Sequence, residues 1–262
     1  MVISFTQLGN YGRLGNQMFQ YASIKGISVQ NGYEFKTSQQ KCDIKKLNLS
    51  SGNLNKQDKL KNKYQEKFYH FDRSAFAQPD GTDYQGYFQS YKYFQNIYSD
   101  ILNEFTVSPL FEKQAVDFVG RCFYGDAKNM GTVSLHVRRG DYLKLPQFHP
   151  FCGINYYKKT INEFLELGNY VFIVTSDDIE WCKKNIVGKN IFYSNSKNQF
   201  IDLAIMYLCD HNIIANSSFS WWGAWLNRNP NKIVLYPSVW FGPKCPSDWY
   251  DLIPPEWEKV EV

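Results

Sequence analysis

No apolar run in these 262 residues approaches the roughly 18 that a membrane-spanning helix needs. The start, Val2-Ile3-Ser4-Phe5, reads as a strand and lacks the charged segment and apolar core of a signal peptide. The expectation is a soluble, cytoplasmic protein, at most peripheral to an inner membrane. Internal repeats and low-complexity segments are missing too. The six cysteines (Cys42, Cys122, Cys152, Cys182, Cys209 and Cys245) form no C-x-x-C and no paired metal spacing. They read as small buried hydrophobes of a reduced protein, not as a redox or zinc centre. Strong charge is also lacking. A net +4 is too little to argue for nucleic acid, but it suits a phosphate-bearing small molecule or loose contact with an anionic membrane surface.

What is present is ordinary in bulk and informative in order. At 44% hydrophobic and 21% charged residues the chain is a normal globular protein, long enough for one large or two modest domains. Aromatics reach 18%; their faces suit sugar rings, but core packing accounts for most of them. Residues 2–8 predict a strand, Gly9 to Gly15 a glycine loop, and the stretch from Asn16, a helix N-cap, a helix with Met18, Tyr21 and Ala22 on one face. A glycine loop between strand and helix can hold a phosphate or sugar against backbone N–H groups, or simply turn the chain. Residues 41–63 are polar and lysine-rich and predict surface loops and short helices. A strand entering a loop over 84–90 and helices over 91–105 and 109–122, the second opened by Ser108-Pro109, complete the first half.

Tyr124 to Gly131 is polar and glycine-containing and reads as a linker. From there strand and helix alternate five times, ending in a strand over 232–236. That pattern predicts a parallel sheet covered by helices. The expected architecture is α/β, with two domains at 1–128 and 129–262.

Ligands of such sheets sit beyond the carboxyl ends of the strands, and here those ends carry charge. Strand 132–137 runs into His136, Arg138, Arg139 and Asp141; the next strand ends in Ser176-Asp177-Asp178; a later one ends in Asn216-Ser217-Ser218-Phe219. An arginine from one loop and a helix N-terminus from another can clamp a pyrophosphate. Ser218 also suits a plain helix cap, and Trp221, Trp222 and Trp225 suit a core. Asp177 and Asp178 could ligate a divalent metal, bond a guanine edge or cap a helix; with no second acidic pair at useful spacing, capping is preferred and no metal is expected. Arg139-Gly140-Asp141 at the end of a core strand is not read as an adhesion motif.

These residues carry a resemblance. Gly12-Arg13-Leu14-Gly15-Asn16-Gln17-Met18-Phe19-Gln20-Tyr21-Ala22 resembles the N-terminal signature of the α-1,2-fucosyltransferases of glycosyltransferase family 11. His136-Val137-Arg138-Arg139-Gly140-Asp141-Tyr142 resembles the family's basic motif. Asp202, Met206, Cys209 and Ile213 with Asn216 to Trp225 resemble its C-terminal motif, and Asp251 to Trp257 its ending. The matches fall in family order from residue 12 to 257, whereas roughly 35–125 matches no motif. The compact form without an anchor resembles the bacterial members.

The resemblance implies a GT-B-like fold, two Rossmann-like domains facing a cleft, with the acceptor side at 1–128 and GDP-fucose held by 129–262. It implies inverting, metal-independent transfer of L-fucose from GDP-β-L-fucose to the 2-hydroxyl of a terminal β-galactoside, with no cofactor. The acceptor could be lactose, N-acetyllactosamine or a lipid-linked O-antigen unit. Arg138 then stabilises the departing GDP, and Asn16 faces the fucose or β-phosphate. Asp141 is a candidate base with a structural alternative, and Arg139 pairs with Asp141 or shapes the loop. Ser217, Ser218 and the Phe219 N–H hold the pyrophosphate; His136 contacts ribose or base or is a satisfied histidine at a strand end; Asp177 reads the guanine or caps a helix. Other fold-preserving readings are an α-1,6 or O-fucosyl linkage and an inactive nucleotide-sugar-binding protein. Intact Arg138, Asn16 and Ser217-Ser218 speak against the last.

Overall fold

A computed structural model describes residues 1–38, 42–123 and 130–261. The chain forms two compact units, Met1–Thr106 with Pro246–Pro254, and Val107–Cys245 with Pro255–Val262.

Unit 1 is built on strands β1 (Val2–Phe5), β2 (Glu34–Thr37), β3 (Gly52–Asn53), β4 (Asn62–Gln65) and β5 (Thr82–Gln85), with helices α1 (Leu14–Asn31) and α2 (Tyr98–Glu104). The strand order is β3-β2-β1-β5-β4, and every pairing is parallel. Helix α1 is buried on nearly all faces, so its apolar residues do not form one clean stripe. It stops at Gly32, whose φ of 65° only glycine takes cheaply; the Tyr33 and Gly32 amides return to Ser28 and Val29 as a Schellman motif. A β-carbon at Gly26 would overlap the Tyr93 carbonyl oxygen and lie 2.9 Å from Phe94 Cα, both backbone atoms that cannot swing aside. Gly26→Ala is therefore expected to cost about 2–3 kcal/mol despite alanine's better helix propensity, read as a lower urea midpoint at unchanged m-value.

Unit 2 holds α3 (Pro109–Arg121), β6 (Gly131–Val137), α4 (Gly153–Leu167), β7 (Tyr170–Ser176), α5 (Ile179–Asn185), β8 (Ile191–Tyr193), α6 (Gln199–Leu208), β9 (His211–Ile213), α7 (Ser218–Trp225), β10 (Val234–Pro237) and β11 (Glu258–Val260). Its sheet runs β11-β10-β9-β6-β7-β8, again parallel throughout. The central strand β6 is buried on both faces and sorts its residues by parity. Val133, Leu135 and Val137 enter a core with Phe172, Val174, Tyr156, Tyr157 and Phe164. On the other face Thr132 bonds Asp210, Ser134 bonds Asn212, and His136 meets the ring of Phe219. That polar face leads to the charged loop.

The structure departs from the expected organisation at several points. The division does not fall at 128: α3 belongs to unit 2, where Phe111 stacks on Phe200 at 6.0 Å, and Pro246–Pro254 returns to unit 1. Of the linker expected over Tyr124 to Gly131, residues 124–129 lie outside the described residues, and Gly131 opens β6. Residues 41–63 supply two outer strands, β3 and β4, besides loops and a short 3-10 turn (Lys41 is outside the described residues). Strands that are short and polar, as β3 is and as β4 is with its Lys63, protect a sheet from edge-to-edge pairing and so give no apolar signal. For the same reason Glu258–Val260 adds an edge strand beyond the one expected to be last.

Candidate active site

The register places the site. Val137 of β6 is opposite Ser176 of β7, so Arg138 and Asp177 leave the sheet side by side. On the other side of β6, Leu135 is opposite Ile213 of β9, which brings the segment entering α7 to the same edge. The sheet being parallel, these are all carboxyl ends, where open α/β sheets bind ligands.

Arg138 is held by two carboxylates. Its Nη2 donates to Asp141 Oδ1 at 2.6 Å, its Nη1 lies 3.2 Å from Asp177 Oδ2, and its guanidinium sits 5.4 Å from the Tyr142 ring centroid. The side chain is only 14% exposed, which fixes its direction. Its Nε is buried and has no hydrogen-bond partner among the described residues. Asp177 Oδ1 also accepts the Arg139 amide at 2.9 Å, an approach that Gly140 permits; a β-carbon there would lie 2.9 Å from Asp177 Oδ2. Arg139 has its own carboxylate. It is ion-paired to Asp178 and packs over Trp181 at 4.9 Å and Phe151 at 5.7 Å. The same Asp178 caps α5 by accepting the Trp181 amide. Capping thus belongs to Asp178, while Asp177 orients Arg138.

The α7 entry is fixed from behind. Asn216 is buried and donates through Nδ2 to the carbonyls of Pro150 (2.8 Å) and Trp240 (2.9 Å), while its Oδ1 accepts from Cys152 Sγ. Tyr142 Oη donates to the Asn216 carbonyl at 3.0 Å, tying the arginine loop to this turn. Ser217 is the N-cap residue, yet its side chain makes no capping hydrogen bond. The first turn of α7, with Ser218 and Phe219, is therefore a dipole end of the kind that receives anions. Its other side is a wall of aromatics: Trp221 contacts Trp222, Trp225 and Trp257 at 4.9, 5.9 and 5.4 Å.

His136 sits edge-on to Phe219 at 5.6 Å, with Nδ1 buried and unpartnered among the described residues. Burial first, and the positive charge of Arg138 second, push its pKa down to about 3, so it is neutral at working pH. The unfolded chain, with an ordinary value near 6.5, binds a proton that the folded chain refuses between these two pH values. Stability is therefore full above about 6.5 and falls as pH drops toward 3. His136→Gln is expected to flatten this slope, measured as urea midpoints of both proteins from pH 4 to 7.

The structure brings His136, Arg138, Asp141, Asp177, Ser217, Ser218 and Phe219 to one edge of unit 2. Asn16 lies in unit 1 and is not the N-cap of α1; Arg13 holds that position. Asn16 stands in the first turn, with Oδ1 accepting from Gln89 Nε2 at 2.8 Å. The glycine loop before it is pinned by α1, through Gln17 Nε2 to Gly12 O and Gln20 Nε2 to Tyr11 O. Sequence reasoning did not assign Tyr142, Cys152 or Trp240 to the site. Tyr142 stands in the basic motif and was legible; Cys152 and Trp240 act through main-chain and thiol contacts that no spacing announces.

Known proteins resemble this chain. The chain is 31% identical over 291 residues to an Escherichia coli alpha-1,2-colitosyltransferase, covering 95% of this chain and 97% of that protein. It is 43% identical over 122 residues to the E. coli O-antigen biosynthesis glycosyltransferase WbnK, a match that spans 44% of this chain and 40% of WbnK. It is 27% identical over 236 residues to the mouse (Mus musculus) galactoside 2-alpha-L-fucosyltransferase Sec1, covering 82% of this chain and 62% of that protein. Among solved structures it resembles POFUT1 in complex with GDP-fucose (TM-score 0.54, 11% identity, 90% of this chain and 97% of that one). It also resembles the NodZ alpha-1,6-fucosyltransferase soaked with GDP-fucose (TM-score 0.53, 10% identity, 86% and 92%). At such identities the likeness is one of fold, the GT-B-like pair of Rossmann-like units. No helix among the described residues is long and apolar enough to cross a membrane. The glycosyl transferase family 11 model matches residues 4–260, and the chain belongs to that family.

Proposed function

We propose that this chain transfers L-fucose from GDP-β-L-fucose, with inversion and without a metal, to the 2-hydroxyl of a terminal β-galactoside. One observation carries the reading: a strand-anchored, mostly buried Arg138, whose Nε has no hydrogen-bond partner among the described residues, stands at the same sheet edge as the N-terminus of α7, where the Ser217 side chain makes no capping hydrogen bond. Buried donors are rarely left without partners, and an arginine fork with helix amides is the donor set a pyrophosphate needs. When the glycosidic bond breaks, charge grows on the β-phosphate oxygen, and a preorganised cation there lowers the barrier. Ser217, Ser218 and the Phe219 amide hold the phosphates in this reading, and neutral His136 sets the floor behind them. Asp141 and Asp177 position Arg138. Asn16 is assigned to the fucose side.

The α-1,2 linkage is supported by relatives from separate groups whose names share it, the bacterial colitosyltransferase and mammalian galactoside fucosyltransferases such as that of the rat. A second reading keeps the donor and changes the linkage, favoured by the fold neighbour named as an α-1,6-fucosyltransferase. The test is incubation with GDP-fucose and lactose, N-acetyllactosamine or a lipid-linked O-antigen unit, with and without EDTA, followed by linkage analysis. An α-1,2 product insensitive to EDTA is expected. A 6-linked product selects the second reading, and no GDP release on any β-galactoside overturns the first.

A further inference from the structure

One partly buried acid of unit 1 has no part in the chemistry above. Glu66 follows β4 directly, and its amide donates to the Gln85 carbonyl at the end of β5. Its carboxylate closes on the segment after β5: Oε2 accepts the Tyr87 amide at 2.6 Å and Oε1 the Phe88 amide at 2.8 Å. Phe88 is fully buried with φ at 52°, in the left-handed region that a bulky side chain rarely takes. Gly86 has φ at 148°, and a β-carbon there would lie 2.6 Å from Glu66 Oε2. The glycine lets the carboxylate reach two consecutive amides, and the carboxylate holds Phe88 in its conformation. The Phe88 carbonyl is held separately by the Ser23 hydroxyl at 3.0 Å.

Residues 86–89 carry this hold to the glycine loop. Gln89 Nε2 donates to Asn16 Oδ1 at 2.8 Å, and the Tyr87 ring meets the Tyr11 ring edge-on at 5.9 Å. A bond to Oδ1 fixes the rotation of the Asn16 amide, and with it the direction of Nδ2.

The ionised acid is the form with two acceptors. Protonation turns one oxygen into a donor that faces an N–H. Ionisation is nevertheless costly here. Burial above all, with the charge of Asp248 on the returning segment, outweighs the two amides and pushes the Glu66 pKa up from 4.5 to about 7. Tyr64 on β4 and Tyr93 also face it and feel its charge, and Lys67, next along the chain, has Nζ 6.0 Å from the Tyr64 ring centroid. Among the described residues no cation pairs with Glu66. The folded chain holds this proton where the unfolded chain has released it. The stability that Glu66 contributes is therefore full below 4.5 and is lost as pH rises through about 7. Packing alone would be served by glutamine, which keeps an acceptor and has no charge to desolvate.

We propose that the Glu66 carboxylate is a positioning group for sugar transfer: it fixes residues 86–89 and, through Gln89, the side chain of Asn16. This role rests on the assignment of Asn16 to the fucose side made above.

Two measurements on the full chain test it. In amide spectra recorded from pH 5.5 to 8.5, the Tyr87 and Phe88 N–H resonances and the Asn16 side-chain amide are expected to shift with one midpoint near 7, and to lose that step in Glu66→Gln. In transfer from GDP-fucose to lactose, kcat of the unchanged chain is expected to rise through the same midpoint. Glu66→Gln is expected to be flat there and at least tenfold slower at pH 8, with both KM values within twofold. Its urea midpoint should gain on that of the unchanged chain from pH 5 to 8, so unfolding does not account for the loss. Gln89→Ala, which leaves Glu66 in place, is expected to slow transfer as much and to release the Asn16 amide from the pH step while Tyr87 and Phe88 keep it. An Asn16 amide that ignores the step in the unchanged chain overturns the role. So does a Glu66→Gln variant within twofold of the unchanged chain at pH 8, or a slower one whose pH profile stays parallel. A shared step in a chain that releases no GDP on any β-galactoside supports the link from Glu66 to Asn16 and overturns the reaction proposed for it.

Discussion

Arg138→Ala is expected to lower kcat for sugar transfer by about a thousandfold, the upper end of what removal of one preorganised charge-stabilising donor costs. The loss should fall on kcat more than on acceptor KM, because the charge it meets is largest when the GDP leaves. The fold should survive. Arg138 is partnered by Asp141 and Asp177, both of which reach solvent, at 38% and 24% exposure, so neither is stranded as a buried unpaired charge. Asp177 also keeps the Arg139 amide. Arg138→Lys preserves the charge but not the planar fork, so an intermediate loss of about ten- to a hundredfold is expected. Steady-state GDP release, with urea unfolding as the control, gives the answer. A lysine variant as active as the unchanged chain would reduce the role to point charge alone. An alanine variant within tenfold of it would remove Arg138 from the chemistry.

The alternation of strands and helices after residue 131 was legible because the strands of a doubly covered parallel sheet are continuous apolar runs. Tyr170 to Thr175 and Ile213 to Ala215 could hardly be read otherwise. What escaped were elements whose formation is dictated by their neighbours. Gly52–Asn53 and Asn62–Gln65 pair because β2 and β5 offer free edges, not because their own residues favour strands. The unit boundary escaped for a related reason. Helix α3 has an amphipathic sequence that fits either unit, and only its packing on α6 assigns it to the second.

The site divides in the same way. Which loops carry charge could be read from the sequence, since a strand's end and its next residues are contiguous. Which acid meets which arginine could not. Arg138 takes Asp141 and Asp177, and Arg139 takes Asp178, because the β6–β7 register sets Arg138 beside Asp177 while Trp181 and Phe151 draw Arg139 the other way. Three carboxylates thus face two guanidinium groups before any ligand arrives. Asp141 is the more exposed of the two carboxylates on Arg138, at 38% against 24% for Asp177.

Asn216→Ala is expected to cost about 2–4 kcal/mol, because two carbonyls behind the turn, the half-buried one of Pro150 and the buried one of Trp240, lose their donor together. Domains carry only about 5–15 kcal/mol in total, so the variant folds with a clearly lower urea midpoint. The functional loss follows from position. Asn216 ties residues 150–152 and 240 to the start of α7, and its own carbonyl holds Tyr142. With that brace gone, Ser217 and Ser218 no longer hold one geometry, and GDP affinity is expected to fall at least tenfold by titration calorimetry. Asn216→Asp separates the brace from mere size. It keeps the volume and the acceptor toward Cys152, but sets a buried carboxylate against two carbonyl oxygens, so it should be less stable than the alanine variant at pH 7. Acidification toward pH 4 should narrow the gap, because a protonated aspartate recovers one of the two donors. An aspartate variant as stable as the unchanged chain at pH 7, or an alanine variant within 0.5 kcal/mol of it, would mean that Asn216 does not brace the turn.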